Sequence, residues 1–199
     1  MTARRRDLAR PNERGAVLVE FAIVASVLLL LVLGVIEIGA GWSSRQVLTQ
    51  ASQKGARVVA QLGKDPAADR EALLAVQAAL GGSDVTIERV VIYQADAAGA
   101  MPTSCRTAVA GAAGTAHCNV YDATALTQLG NPAAFSNGTT CGIYDKNWCP
   151  LTRDTALSDA TDWVGVEVTV RRNYLTKILG GGTHTMTDAT VMRIEPDKE

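Results

Sequence analysis

The stretch Ala16–Ile36, AVLVEFAIVASVLLLLVLGVI, decides how the chain is organised. Only Glu20, Ser26 and Gly34 depart from bulky or small apolar residues. A helix through this stretch, at roughly 1.5 Å per residue, is about 31 Å long, which matches a hydrocarbon core of about 30 Å. A surface helix of a soluble domain keeps one polar face. This run has none and reads as a transmembrane helix. Upstream, MTARRRDLARPNERG sets Arg4, Arg5, Arg6, Arg10 and Arg14 against Asp7 and Glu13. A basic excess so close to the apolar run predicts a cytoplasmic N-terminus and an extracytoplasmic remainder. A cleaved secretory signal is the competing reading. Its apolar region usually spans about 7–15 residues before a small-x-small site, which Gly39-Ala40-Gly41 imitates only weakly.

Glu20 lies inside this run, one turn from its start. A carboxylate in lipid is costly unless it is paired, protonated or close to the headgroups. Shallow placement would satisfy a lone Glu, but its neighbours add a second reading. Gly15-Ala16-Val17-Leu18-Val19-Glu20-Phe21 resembles the processing site of type IV prepilins. That resemblance implies a prepilin peptidase that cuts between Gly15 and Ala16, with Glu20 becoming the fifth residue of the mature chain. The new ammonium on Ala16 and the Glu20 carboxylate, packed against a neighbouring subunit, would neutralise one another. Buried opposite charges serve partner choice and register more surely than raw stability.

Further along, Gly34-Val-Ile-Glu37-Ile-Gly39, Arg45-Gln46-Val47-Leu48 and Lys54-Gly55-Ala56-Arg57 look like the TadE-like pilin family of tight-adherence pilus systems. The closing Val191-Met192-Arg193-Ile194-Glu195-Pro196 is also similar to the end of such proteins. The resemblance implies a minor pilin or pseudopilin that takes part in assembling a pilus for adhesion, colonisation or secretion. Its implied partners are prepilin peptidase, other pilin subunits, the pilus assembly machinery and the lipid bilayer.

Beyond the membrane segment, residues 42–62 place Val47, Ala51, Gly55, Val58 and Leu62 at helical spacings of three and four. No proline interrupts residues 16–62, so one long helix is expected. Gly39 and Gly41 serve either close helix contact or a local break. Gly63-Lys-Asp-Pro ends that helix; Asp65 is the expected cap of a second, with Pro66 at its first position. Gly81-Gly82 closes the second helix. Strands are expected at Val85–Tyr93, Trp163–Arg172 and Thr185–Ile194, with Val164, Val166, Val168 and Val170 facing inward. Tyr174–Leu179 suggests a short helical link. This order is α+β: a single N-terminal transmembrane helix continuing into a pilin-like domain with a small antiparallel sheet. The chain divides into a basic leader (1–15), a transmembrane helix (16–41) and an extracytoplasmic domain (42–199). A short fourth strand has room in the middle.

Residues 94–162 are poor in large apolar side chains and contain Cys105, Cys118, Cys141 and Cys149. A long loop in a compact domain is usually functional or restrained, and disulfides persist outside the cytoplasm. Three pairings are possible; the shortest loops favour Cys105–Cys118 and Cys141–Cys149. Zinc competes weakly, because the cysteines lack the close pairs of structural sites. His117 beside Cys118 suggests a catalytic pair, but sequence neighbours rarely have that geometry, and a loop residue is expected there. Asp154, Asp159 and Asp162 lack the Gly and terminal Glu of a calcium loop and read as a solvated face. Asn137-Gly138-Thr139 fits a glycosylation acceptor or, by default, a turn.

With 19 Lys+Arg and 20 Asp+Glu, the net charge of −1 argues against a nucleic-acid partner. No phosphate-binding loop or nucleophile elbow is recognisable, so no enzyme, cofactor or metal is expected. The alternative to a pilin is a membrane-anchored binding protein that never polymerises, keeps residues 1–15 and holds a ligand with its cysteine-bearing loops.

Overall fold

The computed structural model describes residues 13–96, 98–112, 114, 117–136, 138–156, 161–176 and 182–196. The leader arginines Arg4, Arg5, Arg6 and Arg10, the Asn137 turn, Asp159 and the end of the Tyr174–Leu179 link lie outside them. Tyr174, Leu175 and Thr176 are not helical. The chain forms two compact units, Met1–Ala40 and Gly41–Glu199.

The first long element, α1, spans Glu13–Leu62 without a break at Gly34, Gly39 or Gly41. It contains one window apolar enough to cross a membrane, with mean hydropathy 2.9 and none of its residues buried. In the second unit, α1 buries Leu48, Ala51, Ser52, Gly55, Ala56 and Val59. The stripe is therefore rotated from the expected one. Val47 and Val58 flank it half-buried, and Leu62 lies at its margin. Ser52 explains the rotation: its hydroxyl lies 2.5 Å from Asp188 Oδ2 and 2.9 Å from Thr190 Oγ1, so a polar residue occupies the inward face.

Gly63, at φ 50°, donates its N–H to the Val59 carbonyl and closes α1 in the left-handed conformation that glycine adopts most readily. The next helix, α2 (Ala68–Leu80), begins later than Pro66. Asp65 does not cap it. Its carboxylate accepts the Ala67 N–H at 2.8 Å, bending the chain into a turn ahead of the helix, and Ala67 occupies the cap position without a side-chain bond.

Four antiparallel strands follow: β1 (Thr86–Gln94), β2 (Cys118–Asp122), β3 (Trp163–Asn173) and β4 (Thr183–Arg193), in spatial order β2-β1-β3-β4. The short fourth strand is β2, within the cysteine-bearing segment. β1 is central to the sheet: Val90 lies opposite Tyr121 on one side and Val168 on the other. Val164, Val166, Val168 and Val170 are fully buried, as their period of two requires. With Leu48, Val59, Leu73, Val76, Ile92 and Phe135 they form the main core. A smaller cluster on the opposite face of the sheet joins Val91, Tyr93 and Val120 to Met101, Cys105 and Cys118.

Two glycines are set by close approach. A Cβ on Gly55 would lie 2.7 Å from Val76 Cγ2 and 3.2 Å from Val166 Cγ1, so α1 meets α2 and β3 where it has no side chain. At Gly165 a Cβ would fall inside the Tyr93 ring, which lies over that position of β3. After β4, Ile194 is buried and the Glu195 N–H donates to the Ala60 carbonyl at 2.8 Å, tying the C-terminal segment to α1.

Candidate functional site: the apolar helix and the disulfide-bearing face

Gly15, Ala16, Glu20 and Phe21 all lie on α1 and are exposed. Phe21 shows 69% of its surface and Leu18 68%, values that only a lipid or protein environment would relieve. Ser26 satisfies its hydroxyl within the helix by donating to the Ala22 carbonyl at 2.7 Å. Ala16 and Glu20 are four residues apart and share one helix face.

The segment between β1 and β3 is folded rather than loose. Besides β2 it contains α3 (Thr103–Arg106), α4 (Ala123–Thr127) and three short 3-10 turns. Disulfides join Cys105 to Cys118 and Cys141 to Cys149. The first fastens α3 to the start of β2; Arg89 Nη2 adds a bond to the Cys105 carbonyl at 2.5 Å. Asp122 caps α4 by accepting the Ala125 N–H at 2.8 Å.

Beneath the second disulfide lies a polar network that the sequence reading missed. Asp69 of α2 is fully buried. Its Oδ1 accepts from Arg153 Nη2 at 2.5 Å, and its Oδ2 accepts from Asn119 Nδ2 and Tyr121 Oη at 2.8 Å each. The Tyr121 oxygen also lies 3.0 Å from Asp145 Oδ1. Asp145 Oδ2 accepts the Ser136 N–H at 2.9 Å and its hydroxyl at 3.1 Å. Asn119 fixes the Trp148 backbone on both sides, donating to its carbonyl at 2.8 Å and accepting its N–H at 3.0 Å. The Arg153 guanidinium stacks 4.2 Å from the Trp148 ring centre, with Nε and Nη1 buried and lacking hydrogen-bond partners among the described residues. Burial, and next the charge of Asp69, push the Asp145 carboxyl up to about 7, against the Ser136 and Tyr121 bonds that lower it. Burial, followed by the charges of Asp145 and Asp69, raises the Tyr121 phenol well above its usual value.

One signal for this network stood in the sequence. Asp69, Leu73, Val76 and Leu80 are spaced four, three and four, so the acid occupies the apolar stripe of α2. Arg153, 84 residues away, carries no comparable mark. Asp162 departs from the solvated face expected of it. Its carboxylate accepts from Gln94 Nε2 at 2.5 Å and from the Asp154 N–H at 2.8 Å, joining the end of β1 to the segment before β3. Asp154 in turn accepts the Ala156 N–H at 2.8 Å.

A cleft of about 430 Å³ opens beside these groups, lined in part by His117, Lys146, Trp148, Cys149 and Asp162. His117 is an exposed loop residue in the left-handed region at φ 71°, and its carbonyl accepts the Gln94 N–H at 2.8 Å. Among the described residues no His, Cys, Asp and Glu group has the geometry to hold a metal.

These features define an α+β protein with, among the described residues, one candidate membrane span and a disulfide-braced segment between β1 and β3. Residues 15–57 match the model of the TadE-like protein family, which covers the apolar helix and its continuation and stops before α2. No match was found among curated proteins or solved structures. The family relates the chain to Tad pilus systems and their assembly machinery, and the single apolar helix fits a membrane anchor.

Proposed function

We propose that the chain is a minor pilin or pseudopilin of a Tad-type pilus, inserted with its N-terminus in the cytoplasm and cut between Gly15 and Ala16. The observation that carries this reading is the family match, which begins at Gly15 and runs along a helix whose apolar side chains are exposed. Processing would place a new ammonium one helical turn before Glu20, on the same face. In lipid both charges are costly alone. Paired within a subunit, or between a subunit and its neighbour, they set the depth and register of the helix in an assembly. The outer unit would then carry the surface that meets other subunits or a target, in a structural rather than catalytic role. Glu20→Ala should leave membrane insertion unchanged while piliation falls; normal piliation by that variant would contradict the assigned role. Robust turnover of any substrate by the purified protein would overturn the non-enzymatic reading.

The 430 Å³ cleft favours a second reading, in which the protein stays as an unprocessed membrane-anchored binder and uses the disulfide-bearing face for a ligand. Co-purification with pilus subunits separates the two.

A further inference from the structure

The Tyr121 hydroxyl lies within hydrogen-bond distance of two carboxylates, Asp69 Oδ2 at 2.8 Å and Asp145 Oδ1 at 3.0 Å. A phenol has one proton and can donate to only one of them. If both acids were ionised, the second oxygen pair would face each other with no hydrogen between, in a site where Asp69, Tyr121 and Asp145 are all fully buried. The repulsion and the desolvation would both be uncompensated. A second proton resolves the conflict: Asp145 donates to Tyr121, and Tyr121 donates to Asp69. Arg153 Nη2 already balances the charge of Asp69, so the extra proton belongs on Asp145.

We propose that the Asp145–Tyr121–Asp69 array is a proton-operated latch for the Cys141–Cys149 loop: protonated Asp145 locks the loop onto β2 and α2, and loss of that proton loosens it. Asp145 stands between the two cysteines and is the loop's side-chain link to Tyr121 of β2 and, through Tyr121, to Asp69 of α2. The titratable and charged groups facing it are Asp69 from α2, Tyr121 from β2 and, through Asp69, Arg153 from the segment that follows the loop. Ser136 supplies two donors from the preceding segment, which hold the Asp145 carboxyl in the closed form and oppose the rise in its pKa. The shifts agree with the geometry: burial and Asp69 raise Asp145 to about 7, whereas Tyr121 is raised further from ionisation. Lys146 and Trp148 of the same loop line the cleft, so the latch also governs the rigidity of one cleft wall.

The sign follows from linkage. An open loop returns Asp145 to water, where it ionises near the ordinary carboxylate value of about 3.9. The closed form therefore binds more protons than the open form between roughly pH 4 and pH 7, and opening grows with pH across that window. With a closed-state value of about 7, the open fraction should rise about 50-fold from pH 5 to pH 7, and only about twofold more by pH 9.

Amide hydrogen exchange on the full-length protein in detergent, corrected for intrinsic rates, tests this with β3 as the internal reference. Amides of residues 138–153 should lose about 50-fold in protection between pH 5 and pH 7 relative to β3. In Asp145→Asn they should show no such dependence. A flat wild-type profile, or the wild-type slope persisting in Asp145→Asn, would overturn the latch. Direct titration of the Asp145 carboxyl carbon by NMR in the wild-type protein covers the case in which the variant does not fold: a midpoint above 6 is expected, and one below 5 rejects the proposal.

Discussion

Asp69 and Arg153 meet in full burial, where loss of one partner leaves an uncompensated charge. Such breakage typically costs about 3–5 kcal/mol, so Asp69→Ala should lower unfolding stability by that order, as read from denaturant melts in detergent. Replacing both with well-packed apolar residues should cost much less. Asp145 acts in the opposite sense to most carboxylates. Its folded-state value is raised to about 7, so its contribution is fully present below the unfolded value and is lost as pH rises towards 7. Asp145→Asn should therefore gain on the wild type as pH increases, the difference growing by about 2 kcal/mol between pH 5 and pH 7. Unchanged relative stability across that interval would refute the assignment. At this scale the sequence was only partly legible. The cysteines pair as the shortest loops favour, and Asp69 is marked by its place in an apolar stripe. Asp145, Tyr121 and Arg153 carry no mark because their roles arise from contacts between distant segments.

The elements were easier to read than their boundaries. The alternating valines of β3 announce a strand with one face buried, and the structure buries all four fully. β2 is harder because its five residues, CNVYD, carry a buried Asn and a Tyr whose side chains bond to α2 and the 145–148 segment. α2 starts later than Asp65-Pro66 suggests, because Asp-Pro signals either a helix cap or a turn and here Asp65 makes the turn. The second half of α1 depends on Gly55 for its seat between Val76 and Val166. Gly55→Leu should push these elements apart and cost about 2–3 kcal/mol, more than the helix propensity gained, about 1 kcal/mol. Thermal melts that leave the midpoint unchanged would contradict this packing. Loops of the size closed by Cys141 and Cys149 are stabilised by about 2–3 kcal/mol in the chain-entropy account. The double Cys141→Ser, Cys149→Ser variant should lose about that much, chiefly as earlier opening of its own loop.

Across the whole molecule, the features that identify a class and those that build the fold occupy different stretches. The family match ends at residue 57, whereas the sheet, both disulfides and the buried network lie beyond it. The sequence made the α+β plan legible through periodicity alone. The density of structure between β1 and β3 was not legible, because polar residues there are buried in mutual contact instead of solvated. The proposed function follows the same division: it assigns membrane insertion and assembly to the apolar helix with an acid near its start, and contact with other subunits or a target to the disulfide-braced segment. N-terminal sequencing of the membrane-extracted protein, with and without the cognate prepilin peptidase, tests this most directly. The account predicts a start at Ala16 only when the peptidase is present; a start at Met1 or Thr2 in both cases, or near Trp42, would contradict it.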